Sequence, residues 1–287
     1  MNSTLNRITN RLRSRDLHHT LGRFKQFRDA YSLYQNGRQQ LRSNYHRAQL
    51  HPLEISAFSE MSPQEHADNL RATGVSFGFS LPPAEVEQIY RFACETPCTE
   101  PAFAGKFYAD QVSSGRLNGE RHVFRGLVNN PENCPVVASL AQDPKLLQIV
   151  RSYLKYWPSQ LTYHLSWSFA VDLSEAEQMK RYPPLNYHYD VAGYNFMTTY
   201  FYITDIDTDN GPHVMIEKSH NHKPLHTLLQ SGANPHLAQQ VLDYYGPDCE
   251  LAIKGKAGFG FVQDPSCFHR LSPLKHGRRL LLQIRYA

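Results

Sequence analysis

Long apolar runs are missing from this chain. No stretch approaches the ~20 consecutive apolar residues of a transmembrane helix, so no helical membrane span is expected. The start of the sequence lacks the short basic segment and apolar block of a secretory signal. Cysteine is scarce, with five in 287 residues, at positions 94, 98, 134, 249 and 267. Their odd number and irregular spacing argue against a disulfide framework and for free thiols in a reducing, cytoplasmic setting. Cys94 and Cys98 supply half of a zinc-site spacing, but no second pair completes it. No internal repeat or low-complexity tract is visible.

What is present describes a globular chain, with 41% hydrophobic and 12% aromatic residues. Its length suits one large domain, alone or with an extension. The net charge of +4 is unevenly spread. Residues 1–50 hold ten Lys/Arg against Asp16 and Asp29, a balance of +8, and the other 237 residues carry −4. Leu5, Ile8, Leu12, Leu21, Phe24, Phe27, Tyr31 and Tyr34 recur in this arm at helical spacing, with arginines between them. A basic amphipathic helix of this kind docks on its own domain with a solvated Arg face, or lies on an anionic membrane surface. An Arg-rich, acid-poor segment also suits a transit peptide. The expected organisation is a helical extension over 1–55, with 1–45 the candidate for peripheral membrane contact, and a domain over 60–287. Charge by itself does not make nucleic acid a partner, and none is expected. Oligomeric state is not legible.

Helices are expected over 63–72, entered at Ser62-Pro63 and ended by Gly74, over 82–95, and over 143–154, opened by Asp143-Pro144. "VSFGF" (75–79) alternates like a strand. From about residue 160 the texture becomes β-rich, with short runs such as "LTYHLSWSFAVDL", "NFMTTYFYIT", "PHVMIE", "CELAIKG", "GFGFVQD" and "RLLLQIRYA" separated by turn residues. A helical insertion over 223–245 interrupts them. Helices followed by many short strands predict a β-rich α+β fold, a sandwich or jelly roll backed by helices.

In "NYHYDVAGY", His188 and Asp190 stand two apart in an extended run, and on a strand such residues share a face. A third metal ligand is available in His269, at the end of a glycine-rich strand in "GFGFVQDPSCFHRLSP". Two histidines and one carboxylate form the facial triad of non-haem Fe(II) oxygenases, which leaves coordination positions open. Zinc can be held by the same groups. Nine and ten residues further on, Arg278 and Arg279 open the last strand. An arginine beside such a site offers a fork to a carboxylate, as 2-oxoglutarate requires.

These residues, in this order, resemble the phytanoyl-CoA dioxygenase-like family of Fe(II)/2-oxoglutarate oxygenases. The likeness covers the last ~220 residues: a helical start in "LRATGVSFGFSLPPAEVEQI", His188/Asp190, the Asn210-Gly211-Pro212 turn, Ser219-His220, Gly258/Gly260, His269 and Arg279. Glu217-Lys218 stands where the family has Pro-Gly, and the gap from His269 to Arg279 is about one residue short, which leaves Arg278 a rival anchor. The resemblance implies a double-stranded β-helix, iron held by His188, Asp190 and His269, 2-oxoglutarate anchored by Arg279, and O2 as co-reactant. It places Tyr200 beside the cosubstrate, and Ser272 is a further candidate for its carboxylate. The remaining histidines, among them His164 and His213, read as surface or supporting groups.

The activity implied is a dioxygenase that hydroxylates a small-molecule or lipid-like substrate, with release of succinate and CO2. Two other classes use parts of the pattern. A zinc-dependent hydrolase would need no carboxylate-binding arginine. A catalytically silent barrel, binding membranes or carbohydrate, would need no intact triad.

Overall fold

The computed structural model describes residues 20–41, 55–58, 60–101, 103–229 and 237–287. The chain runs through α1 (Lys25–Leu41), α2 (Pro63–Thr73), β1 (Val75–Ser80), α3 (Pro83–Glu95), β2 (Arg125–Val128), α4 (Pro135–Ala141) and α5 (Pro144–Leu154). It continues through β3 (Leu161–Phe169), α6 (Glu175–Arg181), β4 (Met197–Tyr202), β5 (His213–Ile216), α7 (Leu237–Tyr245), β6 (Glu250–Ile253), β7 (Phe259–Gln263), β8 (His269–Leu271) and β9 (Arg278–Tyr286).

The helix signals act as their chemistry predicts. Ser62 Oγ accepts from Glu65 N at the start of α2, and Gly74 ends it at φ +88. A Cβ at Gly74 would lie 2.3 Å from Cys267 Sγ, so this position has room only for glycine. Asp143 caps α5 by accepting from Lys145 N and Leu146 N. All five cysteines are free thiols.

Six of the strands form an antiparallel sheet in the order β1-β7-β4-β9-β3-β2, extended by two-residue strands at Cys98–Thr99 and Lys106–Phe107. A smaller sheet has the order β6-β5-β8. Together with the helices this is a β-rich α+β fold. The period of two along β9 decides its layering. Leu280, Leu282, Ile284 and Tyr286 point to one face and join Leu146, Ile149 and Val150 of α5 in the main core. Each such buried apolar side chain contributes on the order of 1.5–3 kcal/mol. Arg279, Leu281, Gln283 and Arg285 point the other way, into a cavity that β8 of the small sheet closes from the far side.

Several expectations are corrected. His188 and Asp190 lie outside the named strands; His188 makes an isolated antiparallel bridge to His269. His269 does not end the glycine-rich strand but opens β8, after the turn 264–268. The strands between 98 and 128 were not legible, because two- to four-residue strands carry too little alternation. Of the helical insertion, Leu225–Leu229 and Leu237–Tyr245 are helical and 230–236 lie outside the described residues.

Of the basic extension, α1 is described, while 1–19 and 42–54 lie outside the described residues. α1 docks on the domain with Arg28 and Ser32 buried, and of the expected apolar stripe Tyr31 packs half-buried against the main core. Phe27, Leu33 and Tyr34 stand exposed. Among the described residues no helix is long and apolar enough to cross a membrane.

Candidate metal centre

His188 and His269 are held side by side by reciprocal backbone bonds: His188 N donates to His269 O at 3.0 Å, and His269 N donates to His188 O at 2.8 Å. Their ring centroids lie 4.4 Å apart. Asp190 N donates to Pro265 O at 2.9 Å, which ties the third residue to the turn preceding β8. One ligand atom from each of His188, Asp190 and His269 lies within 4.8 Å of the others.

The imidazoles are oriented by backbone carbonyls. His188 Nδ1 is 2.8 Å from Asn186 O, and His269 Nδ1 is 2.9 Å from Cys267 O. A carbonyl only accepts, so each Nδ1 carries the proton and each Nε2 keeps its lone pair for a metal. Burial pushes the His269 pKa down to about 4, with the charge of His188 adding to it and Asp190 opposing it. The neutral imidazole this favours is the ligating form. Asp190 forms an ion pair of 2.8 Å with Arg285.

The three residues line a cavity of ≈ 270 Å³ between the sheets, shared with Tyr200, His213, Arg279 and Arg285. Arg279 is 1% exposed. Its Nη1 donates to Gly211 O and its Nη2 to Ser168 Oγ at 3.0 Å, while Nε has no partner among the described residues. No carboxylate pairs with it among those residues. A buried, unpaired guanidinium costs several kcal/mol, and a carboxylate entering on the Nε side would relieve that cost. Arg278 faces away, 3.1 Å from Tyr90 Oη and 4.7 Å above the Trp167 ring. The Asn210-Gly211-Pro212 turn thus supports Arg279 through a glycine carbonyl.

Tyr200 stacks on Phe261 at 4.7 Å in the cavity wall, and burial raises its pKa, so it is a neutral phenol. Ser272 is not brought to the cavity. Leu271 takes the inward position, and Ser272 Oγ accepts from Arg270 Nη1 at 3.3 Å instead. The Ser219 hydroxyl donates to Ile216 O at 2.6 Å and accepts from Phe268 N at 2.8 Å, bracing the turn beside β8. Lys218, just before Ser219, takes a left-handed backbone at φ +64.

Sequence reasoning missed several cavity residues, His213, Arg285 and Arg125 among them. His213 was placed among surface or supporting histidines, yet it is 1% exposed and neither ring nitrogen has a partner among the described residues. Burial, with His269 and Arg279 nearby, holds its pKa well below the ordinary value. Arg285 was legible by counting in twos from Arg279 along the last strand. Arg125 carried no signal, because its strand was not recognised.

No family model matches this sequence, and no curated protein matches it. Among solved structures the chain is similar to SnoN, a non-heme alpha-ketoglutarate-dependent epimerase from nogalamycin biosynthesis. The two are 13% identical over 78% of this chain and 82% of that one, with a TM-score of 0.52. It is also similar to EctD from S. alaskensis with bound Fe, at 15% identity over 83% of this chain and 80% of that one, with a TM-score of 0.51. At such identities the shared property is the fold.

Proposed function

We propose that this chain is an Fe(II)- and 2-oxoglutarate-dependent oxygenase with a double-stranded β-helix core, hydroxylating a small polar molecule. The observation that carries this reading is the pairing of two features in one cavity. His188, Asp190 and His269 converge there, and the buried Arg279 guanidinium, without a carboxylate partner among the described residues, faces the same space.

The fold is shared with one protein that is alpha-ketoglutarate-dependent and another that binds Fe, which supports assigning the same cofactors here. The order of motifs supports a place beside the phytanoyl-CoA dioxygenase-like family. His188 and His269 would hold iron through Nε2, and Asp190 through a carboxylate oxygen. Iron with 2-oxoglutarate and O2 supplies the oxidising power for attack on a C–H bond, with succinate and CO2 as coproducts. The protein's part is to bind and orient. Arg279 would take the distal carboxylate of the cosubstrate, with the Tyr200 ring forming the adjacent wall. No side chain is needed as a general base.

The lining favours a polar substrate over a lipid-like one. His164, Ser166, Gln283 and Arg125 face the cavity, against four aliphatic side chains: Leu127, Pro184, Leu271 and Leu281. An alkyl tail would leave those polar groups desolvated and unpaired.

The test is succinate release from 2-oxoglutarate by the purified protein with Fe(II) and O2, alone and with a panel of polar metabolites. Turnover is expected, and Asp190→Ala should abolish it. Failure of the metal-loaded protein to bind 2-oxoglutarate in calorimetry would overturn the assignment.

A further inference from the structure

α1 belongs to the basic extension, ahead of the His188-to-Arg279 motifs, yet its buried contacts lead to the candidate metal ligands. Arg28 is 5% exposed. Its Nη1 reaches both carboxylate oxygens of Asp264, at 3.2 and 3.0 Å, and Ser266 Oγ at 2.6 Å; its Nη2 donates to His220 O at 3.0 Å. Tyr153 Oη donates to Asp264 Oδ2 at 2.6 Å. Asp264 in turn organises the turn 264–268, accepting from Ser266 N at 2.8 Å with its side chain and from Cys267 N at 3.0 Å with its carbonyl.

That turn carries the two carbonyls that aim the ligands. Pro265 O accepts from Asp190 N, and Cys267 O accepts from His269 Nδ1, each at 2.9 Å. α1 also holds the chain beyond Asp190: Asn195 Nδ2 donates to Ser32 Oγ at 2.9 Å, and Tyr31 stacks on Tyr194 at 4.8 Å. One helix therefore grips both ligand-bearing segments. A buried ion pair is a poor source of net stability, and geometric specificity is the better-attested use of one.

We propose that α1 is a positioning element of the metal centre, with Arg28, acting through Asp264, fixing the carbonyls that orient Asp190 and His269. This rests on reading His188, Asp190 and His269 as metal ligands.

The test is Co(II) titration of the full chain, followed by calorimetry and by the visible absorption of bound Co(II), which reports ligand geometry. Arg28→Met should lower Co(II) affinity about 10-fold or more, as loss of a supporting hydrogen bond does elsewhere, and should alter the spectrum. Arg28→Lys, which keeps the charge but not the fork, should fall between. Gln39→Ala is the control. It removes another α1 attachment, the paired bonds between Gln39 and the Trp157 backbone, remote from the ligand segments. It should lower Tm and leave Co(II) affinity and spectrum unchanged. If Arg28→Met does not yield folded protein, Arg28→Lys and Ser32→Ala carry the same comparison. A lowered Tm with unaltered Co(II) affinity and spectrum in the Arg28 variants would make α1 a structural prop only and overturn the proposal. An unmutated chain that takes up no Co(II) would instead remove the ligand assignment, and this proposal with it.

Discussion

Arg285 Nη2 lies 2.8 Å from Asp190 Oδ2, so one carboxylate oxygen is committed to a cation on β9 and the other has no ion-pair partner among the described residues. This division favours attachment of a metal through a single oxygen, with the second oxygen fixed by its partner. Arg285→Leu should therefore weaken Co(II) binding by about 10-fold or more. Isothermal titration checks this, and an affinity equal to that of the unmutated chain would remove Arg285 from the support of the site.

Arg279 and Arg278 are adjacent and face opposite ways, one into the cavity and the other onto Trp167. Arg279→Leu should weaken 2-oxoglutarate binding by about 1.5–3 kcal/mol, the strength of a charge-assisted bond, with metal binding retained. Arg278→Leu should leave the cosubstrate constant alone. Calorimetry with 2-oxoglutarate on the Co(II)-loaded protein decides between them, and the reverse pattern would shift the anchor by one residue.

How far such a site is legible depends on how local its signal is. The His188/Asp190 pair shows in three consecutive residues, and Arg279 stands in a strand with clear alternation. Helix starts at Ser62-Pro63 and Asp143-Pro144 show because a cap and a proline are adjacent in sequence. The partners of Arg28 were not legible: Asp264 is 236 residues away, and the arm's apolar spacing gave no reason for an arginine to share the buried face with Tyr31. His213 gave a weak signal as one histidine among fifteen. Its burial follows from the pairing of β5 with β8, which no local pattern specifies.

Gly211 has φ +69, and a Cβ there would come within 2.5 Å of Leu274 Cδ1 and 2.8 Å of Ser272 O. Backbone strain and overlap act together, so Gly211→Ala should destabilise the fold by roughly 1–3 kcal/mol. Because the Gly211 carbonyl supports Arg279, 2-oxoglutarate affinity should also fall. Denaturant titration reads the first effect and calorimetry the second. A stable variant with weakened cosubstrate binding would confine the role of this turn to the anchor.

The Arg28–Asp264 pair also gives stability a dependence on acid. Burial by itself would raise the Asp264 pKa, but the Arg28 charge, His220 and the bonds from Tyr153 and Ser266 outweigh it and hold the carboxyl well below its usual range. In the unfolded chain it returns to about 3.9. As pH falls below that value the unfolded state takes up a proton before the folded state does, and unfolding is favoured. The stabilisation is thus fully present above about pH 4 and is lost as pH drops through the depressed folded value. Asp264→Asn should be less stable at neutral pH by about 3–5 kcal/mol, because it leaves Arg28 buried without its counter-charge. Its deficit should shrink in acid as the unmutated protein loses the same contribution. Urea denaturation of both proteins from neutral pH down to pH 2–3 measures the difference, and a deficit that stays constant across that range would show that Asp264 does not titrate between the two states.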